Sequence, residues 1–279
     1  MGRLRFTKMH GIGNDYVYVD CFSQTVNEPA ALARRLSPRR TAVGSDGLIL
    51  ICPSQVADCR MEMYNADGSR GEMCGNGIRC VGKFVYEHAL ARKEHLQVET
   101  DAGIKALRLR VQSGRVDAVT VDMGEPILDG PRIPVAAEGR IVNMPFQMGP
   151  ETYAITCVSM GNPHCVIFVD KVAGLPLAEI GPRFEHHSFF PKRVNTEFAQ
   201  VMGPHEIRMR VWERGSGETA ACGTGACAVL VAAVLNGKTD RRVTLHLSGG
   251  DLDIEWRVTD NHVFMTGPAE EAFTGEVEI

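Results

Sequence analysis

The sequence predicts an α+β protein of two pseudo-symmetric domains, each a mostly antiparallel, barrel-like sheet wrapped around one central α-helix. Three observations lead there. The first is a repeat: Cys74-Gly75-Asn76-Gly77 and Cys222-Gly223-Thr224-Gly225 lie 222 − 74 = 148 positions apart, and Gly13-Asn14 with Gly161-Asn162, Met61 with Met209 and Tyr64 with Trp212 keep that offset. A repeat this long is a whole domain rather than a solenoid unit. The second is ACAVLVAAVLNG, apolar almost all the way round, as a helix buried on every side must be. The third is the succession of short alternating segments and Gly-containing turns around each Cys-Gly-x-Gly, which reads as antiparallel strands. The expected boundaries are 1–122 plus 268–279 for the N-terminal domain and 123–267 for the C-terminal one, with the active-site cleft between them.

Taken in order, LRFTKMH is a strand, Gly11 to Asp15 a turn and YVYVDC a second strand. Pro29 begins a short helix, ALARRL, that stops before Pro38. LILIC and CRMEMYN are strands, and Asn65-Ala66-Asp67-Gly68 turns the chain toward Cys74. Behind Cys74 runs a long segment without proline that suits a helix, followed by the meander LQVET, KALRLRV and VDAVTVDM. EPILDGPRIPVAAEG, rich in Pro and Gly and without a period, is the expected crossing between domains. The second half repeats the plan with YAITCVSM, the turn Gly161 to His164, CVIFV, a helix near LAEIGPRFEHH, then NTEFAQV and EIRMRVWERG; its central helix stops at Gly237.

Composition excludes several classes of function. With 279 residues, 44% hydrophobic and 23% charged, the chain has ordinary globular composition and room for two cores. A net charge of −4 without a dense Lys/Arg run argues against nucleic acid as a partner. No stretch approaches the roughly 20 apolar residues of a membrane span, and the N-terminal MGRLRFTKMHG has no apolar leader core. Nine cysteines, an odd number, point to reduced thiols and a cytoplasmic location.

Chemistry concentrates at the duplicated cysteines. Each is followed at once by two glycines flanking a small polar residue and then by a helix, so Cys74 and Cys222 are expected at helix N-termini. There the dipole and unpaired N–H groups favour thiolate and can cradle a carboxylate. The other cysteines read as inert: Cys21, Cys52, Cys59, Cys157 and Cys165 as small core residues, Cys80 and Cys227 as packing within the helices. Zinc is not expected: Cys74–Cys80, with five residues between, is wider than structural zinc pairs use, and Cys222–Cys227, with four, lies at their wide limit. Asn14 and Asn65 sit where turns often use Asn for backbone reasons, but 213 − 65 = 148 places Glu213 opposite Asn65. A carboxylate set against an amide fits two different ends of one substrate. His186 and His187 read as surface or helix-end residues.

Five separated motifs in order, HGIGNDY, MYNADGSRGEMCGNGIRC, GNPHCV, FPKRVNTEF and VWERGSGETAACGTGACA, resemble the diaminopimelate epimerase family across essentially the whole chain. The resemblance implies an isomerase that needs neither pyridoxal phosphate nor a metal. It would interconvert LL- and meso-2,6-diaminopimelate in lysine and peptidoglycan precursor synthesis, commonly as a homodimer. It implies Cys74 and Cys222 as the catalytic thiolate/thiol pair and His164 and Glu213 as residues that tune them. Substrate binding falls to Asn14, Asn65, Asn162, Asn195, Glu213 and Arg214, with the backbone N–H groups of Gly75, Asn76, Gly223 and Thr224 for the α-carboxylate. One position departs from the pattern: Gly47 stands where some members carry a substrate-contacting Gln.

Two other classes compete. A proline or hydroxyproline epimerase-like or phenazine-pathway isomerase-like protein would share the fold. Arg214 and the asparagines favour a substrate with a second amino-acid end, which a proline ring lacks, and a phenazine-type isomerase has no need of the cysteine pair. A redox-switch or metal-binding protein would use the same thiols without catalysis.

Overall fold

A computed structural model describes residues 2–278, which divide into two compact units, 2–121 with 266–278 and Asp122–Met265. In the first, the order is β1 (Arg3–Gly11), β2 (Asn14–Asp20), α1 (Pro29–Leu36), β3 (Gly47–Cys52), β4 (Cys59–Asn65), β5 (Arg70–Gly71), α2 (Gly75–Glu87), β6 (His95–Thr100), β7 (Gly103–Gln112) and β8 (Arg115–Gly124). In the second it is β9 (Met144–Met148), β10 (Glu151–Ser159), β11 (Pro163–Phe168), α3 (Leu177–Glu185), β12 (Asn195–Gly203), β13 (Glu206–Glu213), β14 (Gly217–Thr219), α4 (Gly223–Leu235), β15 (Arg242–Leu247), β16 (Gly250–Trp256) and β17 (Val263–Gly267). The last strand, β18 (Glu270–Glu278), returns to pair antiparallel with β1 in the first unit.

The sequence repeat is a repeat of elements. The starts of α1 and α3, β3 and β12, and α2 and α4 all differ by 148 (177 − 29 = 195 − 47 = 223 − 75 = 148). The ladders correspond as well. β2 and β3 run parallel, β3 and β4 antiparallel, and β4 and β6 parallel. β11 and β12, β12 and β13, and β13 and β15 repeat those three relations. A parallel step needs a crossover, and α1 and α3 supply it between β2 and β3 and between β11 and β12.

Each sheet bends around its helix. α2 packs on β1, β2, β4 and β7, and α4 on β10, β11, β12, β15 and β16. Ten of the thirteen residues of α4 are buried, as an apolar circumference requires. α2 buries eleven of thirteen although it carries Arg79 and Lys83. Lys83 reaches the Val116 carbonyl and the Glu87 carboxylate, each at 2.8 Å, so its charge is compensated. Gly82 lets α2 lie close to β7, where a Cβ would stand 2.8 Å from a Leu107 methyl.

Two expectations change. The segment Glu125–Gly139 is no bare crossing: Ile127 bridges to Ser159 and Ile133 and Val135 are buried in the second core. Its apolar residues are too widely spaced among Pro and Gly to show a period, yet they pack. Cys21 and Cys52 are not core filler either, because both are partly exposed.

Candidate active site

Both duplicated cysteines are the N-caps of their helices. Cys74 has an extended backbone (φ −127°, ψ 121°), and its sulfur accepts from the Gly77 N–H at 3.4 Å. Cys222 repeats this (φ −122°, ψ 107°), accepting from the Gly225 N–H at 3.4 Å. With the third helical N–H turned to the sulfur, the first two in each helix, Gly75 and Asn76 or Gly223 and Thr224, are those for which the helix offers no carbonyl. Each cap thus sets a sulfur beside the donor end of a helix, where negative charge is favoured.

The glycine after the cap is needed for this geometry. A Cβ on Gly77 would stand 2.7 Å from the Ile49 Cδ1, and one on Gly225 would stand 2.7 Å from the Glu197 Oε1 and 3.1 Å from the Cys222 sulfur. Gly225→Ala is expected to lower kcat by about 10²-fold through displacement of the sulfur. Its melting temperature should change little, because alanine's better helix propensity, about 1 kcal/mol, offsets part of the clash. Steady-state kinetics with a thermal melt checks the split.

Around Cys74, the thiol donates to the Asn14 Oδ1 at 3.2 Å. Asn14 is itself held by the Asp46 Oδ2, 2.8 Å from its amide nitrogen, and Arg39 clamps Asp46 and Asp15 at 2.7 and 2.6 Å. Tyr16 lies beside the cysteine, its phenol raised well above the ordinary value by burial and then by the neighbouring Cys74 and Asp46. Asn65 donates to the Ser69 hydroxyl at 2.9 Å and stands opposite Gly47 in the β3–β4 ladder. A Cβ at Gly47 would fall 2.1 Å from the Tyr64 carbonyl oxygen. A Gln there would require the β4 backbone to move, so this chain cannot make that side-chain contact on its present backbone.

The surroundings of Cys222 are more acidic. Its sulfur lies 3.6 Å from the Thr224 hydroxyl. The Thr224 hydroxyl accepts from the Asn162 amide at 3.2 Å, the Asn162 Oδ1 meets the His164 Nε2 at 3.0 Å, and the His164 Nδ1 meets the Glu197 Oε1 at 2.7 Å. His164 and Glu197 are both fully buried. Thr219 donates to Glu213, whose carboxyl is raised by burial against the opposing effects of that hydroxyl and of His164. Burial first, and then the carboxylates of Glu213 and Glu197, push the Cys222 thiol well above its ordinary value. Desolvation and like charge both disfavour the thiolate, so Cys222 rests as a thiol.

Asn195 and Arg214 form one unit. The Asn195 amide donates to the Pro163 carbonyl at 3.1 Å and its Oδ1 accepts from the Arg214 N–H at 2.9 Å, while the Arg214 guanidinium donates to the Lys192 carbonyl at 3.0 Å. The loop is anchored from below by Glu185, which accepts from the Trp212 indole at 2.8 Å and from the Gly215 N–H at 2.9 Å. Asp46, Glu197 and Glu185, which hold predicted residues in place, escaped the sequence reading. One signal was present for Glu197: 197 − 49 = 148 sets it opposite Ile49, a carboxylate where the other half has an alkyl group. Nothing in the local sequence marks Glu185 or Asp46.

The remaining cysteines Cys59, Cys80, Cys157, Cys165 and Cys227 are buried. Among the described residues no three His, Cys, Asp or Glu side chains gather as a metal site would require, and no helix is long and apolar enough to cross a membrane.

Comparison with known proteins gives the family. The family model described as diaminopimelate epimerase matches residues 6–128 and 156–271. A diaminopimelate epimerase of Acetivibrio thermocellus is 55% identical over 277 residues, covering 99% of both chains. That of Agathobacter rectalis is 56% identical over 284 residues, covering 99% of this chain and 100% of the relative. Among solved structures, a PhzF-family phenazine biosynthesis protein of Bacillus anthracis superposes with a TM-score of 0.70 at 16% identity over 100% of both chains. A probable proline racemase of Agrobacterium radiobacter gives 0.71 at 15% identity over 99% of this chain and 93% of that one. The structures share the fold alone; the sequences share half their residues end to end, and by these the chain belongs to the diaminopimelate epimerase family.

Proposed function

We propose that this chain interconverts LL- and meso-2,6-diaminopimelate with Cys74 and Cys222 as a two-base pair, and so serves lysine and peptidoglycan precursor synthesis. The observation that carries the reading is the matched capping geometry of the two cysteines at helices offset by 148 residues. Inversion by proton exchange needs a base on one face of the α-carbon and an acid on the other. A duplicated domain, here read as 1–122 plus 268–279 and 123–267, can supply one such group to each face.

The proton inventory follows from the surroundings. Cys222, held as a thiol, is the acid of the resting enzyme. Once Cys74 has lost to solvent the proton it directs at Asn14, its thiolate takes the α-proton from one face and Cys222 delivers its proton to the opposite face, leaving Cys74 a thiol and Cys222 a thiolate. The reverse reaction starts from that second state, and the two sulfurs titrate as a coupled pair. No cofactor delocalises the carbanion. The N–H groups of Gly75, Asn76, Gly223 and Thr224 stabilise the charge that develops on the α-carboxylate. Asn14, Asn65, Asn162 and Asn195 hold the substrate's polar ends, with Arg214 pairing the distal carboxylate and Glu213 accepting from an ammonium. His164 and Glu213 set the proton affinity of Cys222. A substrate of the wrong distal handedness would leave these buried groups unpaired. The enzyme acts in the cytoplasm as a homodimer.

The test is chiral product analysis of the purified, reduced protein with LL-diaminopimelate, proline and trans-4-hydroxyproline in parallel. Turnover of diaminopimelate alone is the expected result. Turnover of a proline ring without diaminopimelate would move the chain to the other amino-acid epimerases of this fold.

A further inference from the structure

The strands β2 and β3 run parallel with Val17 to Asp20 in register with Leu48 to Ile51. The pairing goes one step further: the Cys21 N–H donates to the Ile51 carbonyl at 2.9 Å, which sets Cys21 beside Cys52, the last residue of β3. Neighbouring strands lie about 4.8 Å apart, within the Cα separation of about 4.4–6.8 Å that a disulfide spans. Both residues are partly exposed and pack on the rim of the first core. The contrast is Cys157 and Cys165, which also face each other across a ladder but are 1% and 0% exposed.

The two thiols are unequal. The neighbouring Cys21 thiol lowers the proton affinity of Cys52, with Arg60 and Arg70 acting in the same sense against burial and Glu62. Cys21 is pushed up, first by the adjacent Cys52 and then by burial. A sulfur biased toward thiolate beside a protonated neighbour is the pairing of an attacking and a resolving thiol.

We propose that Cys21 and Cys52 form an accessible dithiol that hydroperoxides close to an intramolecular disulfide, a modification site separate from the helix-capping cysteines. The Cys52 thiolate attacks the outer peroxide oxygen. The O–O bond breaks, the departing alkoxide or hydroxide takes a proton to leave as alcohol or water, and Cys52 becomes a sulfenic acid, oxidised by two electrons. Cys21 then loses its proton and attacks that sulfur, the S–S bond forms, and the S–O bond breaks to release water. Two thiols and one hydroperoxide give one disulfide, one alcohol or water, and one water. The pair sits at the far ends of β2 and β3 from Asn14 and Gly47, roughly 17–23 Å along strands that rise about 3.3 Å per residue. The cross-link therefore leaves the epimerase machinery in place.

The full chain carrying Cys74→Ala and Cys222→Ala removes the capping thiols from the readout. This protein is treated with a slight excess of hydrogen peroxide, alkylated, and mapped by peptide mass. The expected product is a Cys21–Cys52 disulfide, with Cys157 and Cys165 alkylated only after unfolding. Adding Cys21→Ser should leave a Cys52 sulfenic acid that dimedone traps. Adding Cys52→Ser should slow oxidation of Cys21 by at least about tenfold, as the thiolate is lost. In the otherwise native chain, Cys21→Ser and Cys52→Ser should keep epimerase activity within about twofold, because surface changes away from the site perturb little. Cys21 and Cys52 remaining as thiols under peroxide, or ending as separate sulfinic acids without a cross-link, would overturn the proposal.

Discussion

Cys74→Ala and Cys222→Ala are each expected to lower kcat/KM for diaminopimelate by about 10⁴-fold, the upper range for a positioned acid or base. The double variant should be little worse than either single one, because the two sulfurs act as one unit. Loss of an N-cap acceptor costs only about 1 kcal/mol of stability, so both variants should fold and give native circular dichroism. A further outcome separates two bases from one. With Cys74 removed, the isomer whose α-proton faces Cys222 should still exchange that proton slowly without inversion, and the other isomer should not. Solvent isotope uptake into recovered substrate, measured with chiral analysis, reads both effects in one sample.

The second large effect is expected at Glu197. Its carboxylate is fully buried and meets the His164 Nδ1 at 2.7 Å. Glu197→Leu leaves the buried His164 Nδ1 without its hydrogen-bond partner, which costs about 1–3 kcal/mol. It also frees His164 from its fixed orientation toward Asn162, so activity should fall by at least about 10²-fold. Glu197→Gln keeps a hydrogen-bond partner and removes only charge. Glu197 is one of two carboxylates that raise the Cys222 thiol, so its neutralisation lowers that proton affinity. Cys222 must hold its proton to act as the acid, and it will then lose it at lower pH. The basic limb of the kcat/KM profile should therefore move to lower pH in Glu197→Gln. An unmoved limb would separate Glu197 from the tuning of Cys222. A denaturant titration beside the pH profile distinguishes the stability loss of the leucine variant from the electrostatic change of the glutamine variant.

This asymmetry was only half legible in the sequence. The duplication, the helix starts at the two cysteines and the buried character of α4 could be read from spacing and composition, because each is a local or periodic property. The residues that tell the halves apart depend on what lies beneath each cap. Ile49 under Gly77 and Glu197 under Gly225 occupy equivalent strand positions, and only the packing of strand on helix brings either to its glycine. Glu185 is still less legible. It looks like a surface residue at a helix end, but it is 4% exposed and anchors the backbone around Arg214. Cys21 and Cys52, separated by the α1 crossover, meet through a parallel register that no local pattern encodes. The Gly47 departure was visible as a missing side chain. Its cause, the Tyr64 carbonyl where a Cβ would stand, was not.

The central claim is that two thiols on opposite faces of one α-carbon carry out the inversion without help. The most direct test incubates the reduced, EDTA-treated protein with LL-diaminopimelate in D₂O without pyridoxal phosphate and follows the α-protons by NMR together with chiral analysis. The account predicts meso product carrying one solvent deuteron at the inverted centre and none at the other, with early product labelled ahead of remaining substrate. Meso product that retains the original α-proton would contradict it, because a single group would then have carried the proton from face to face.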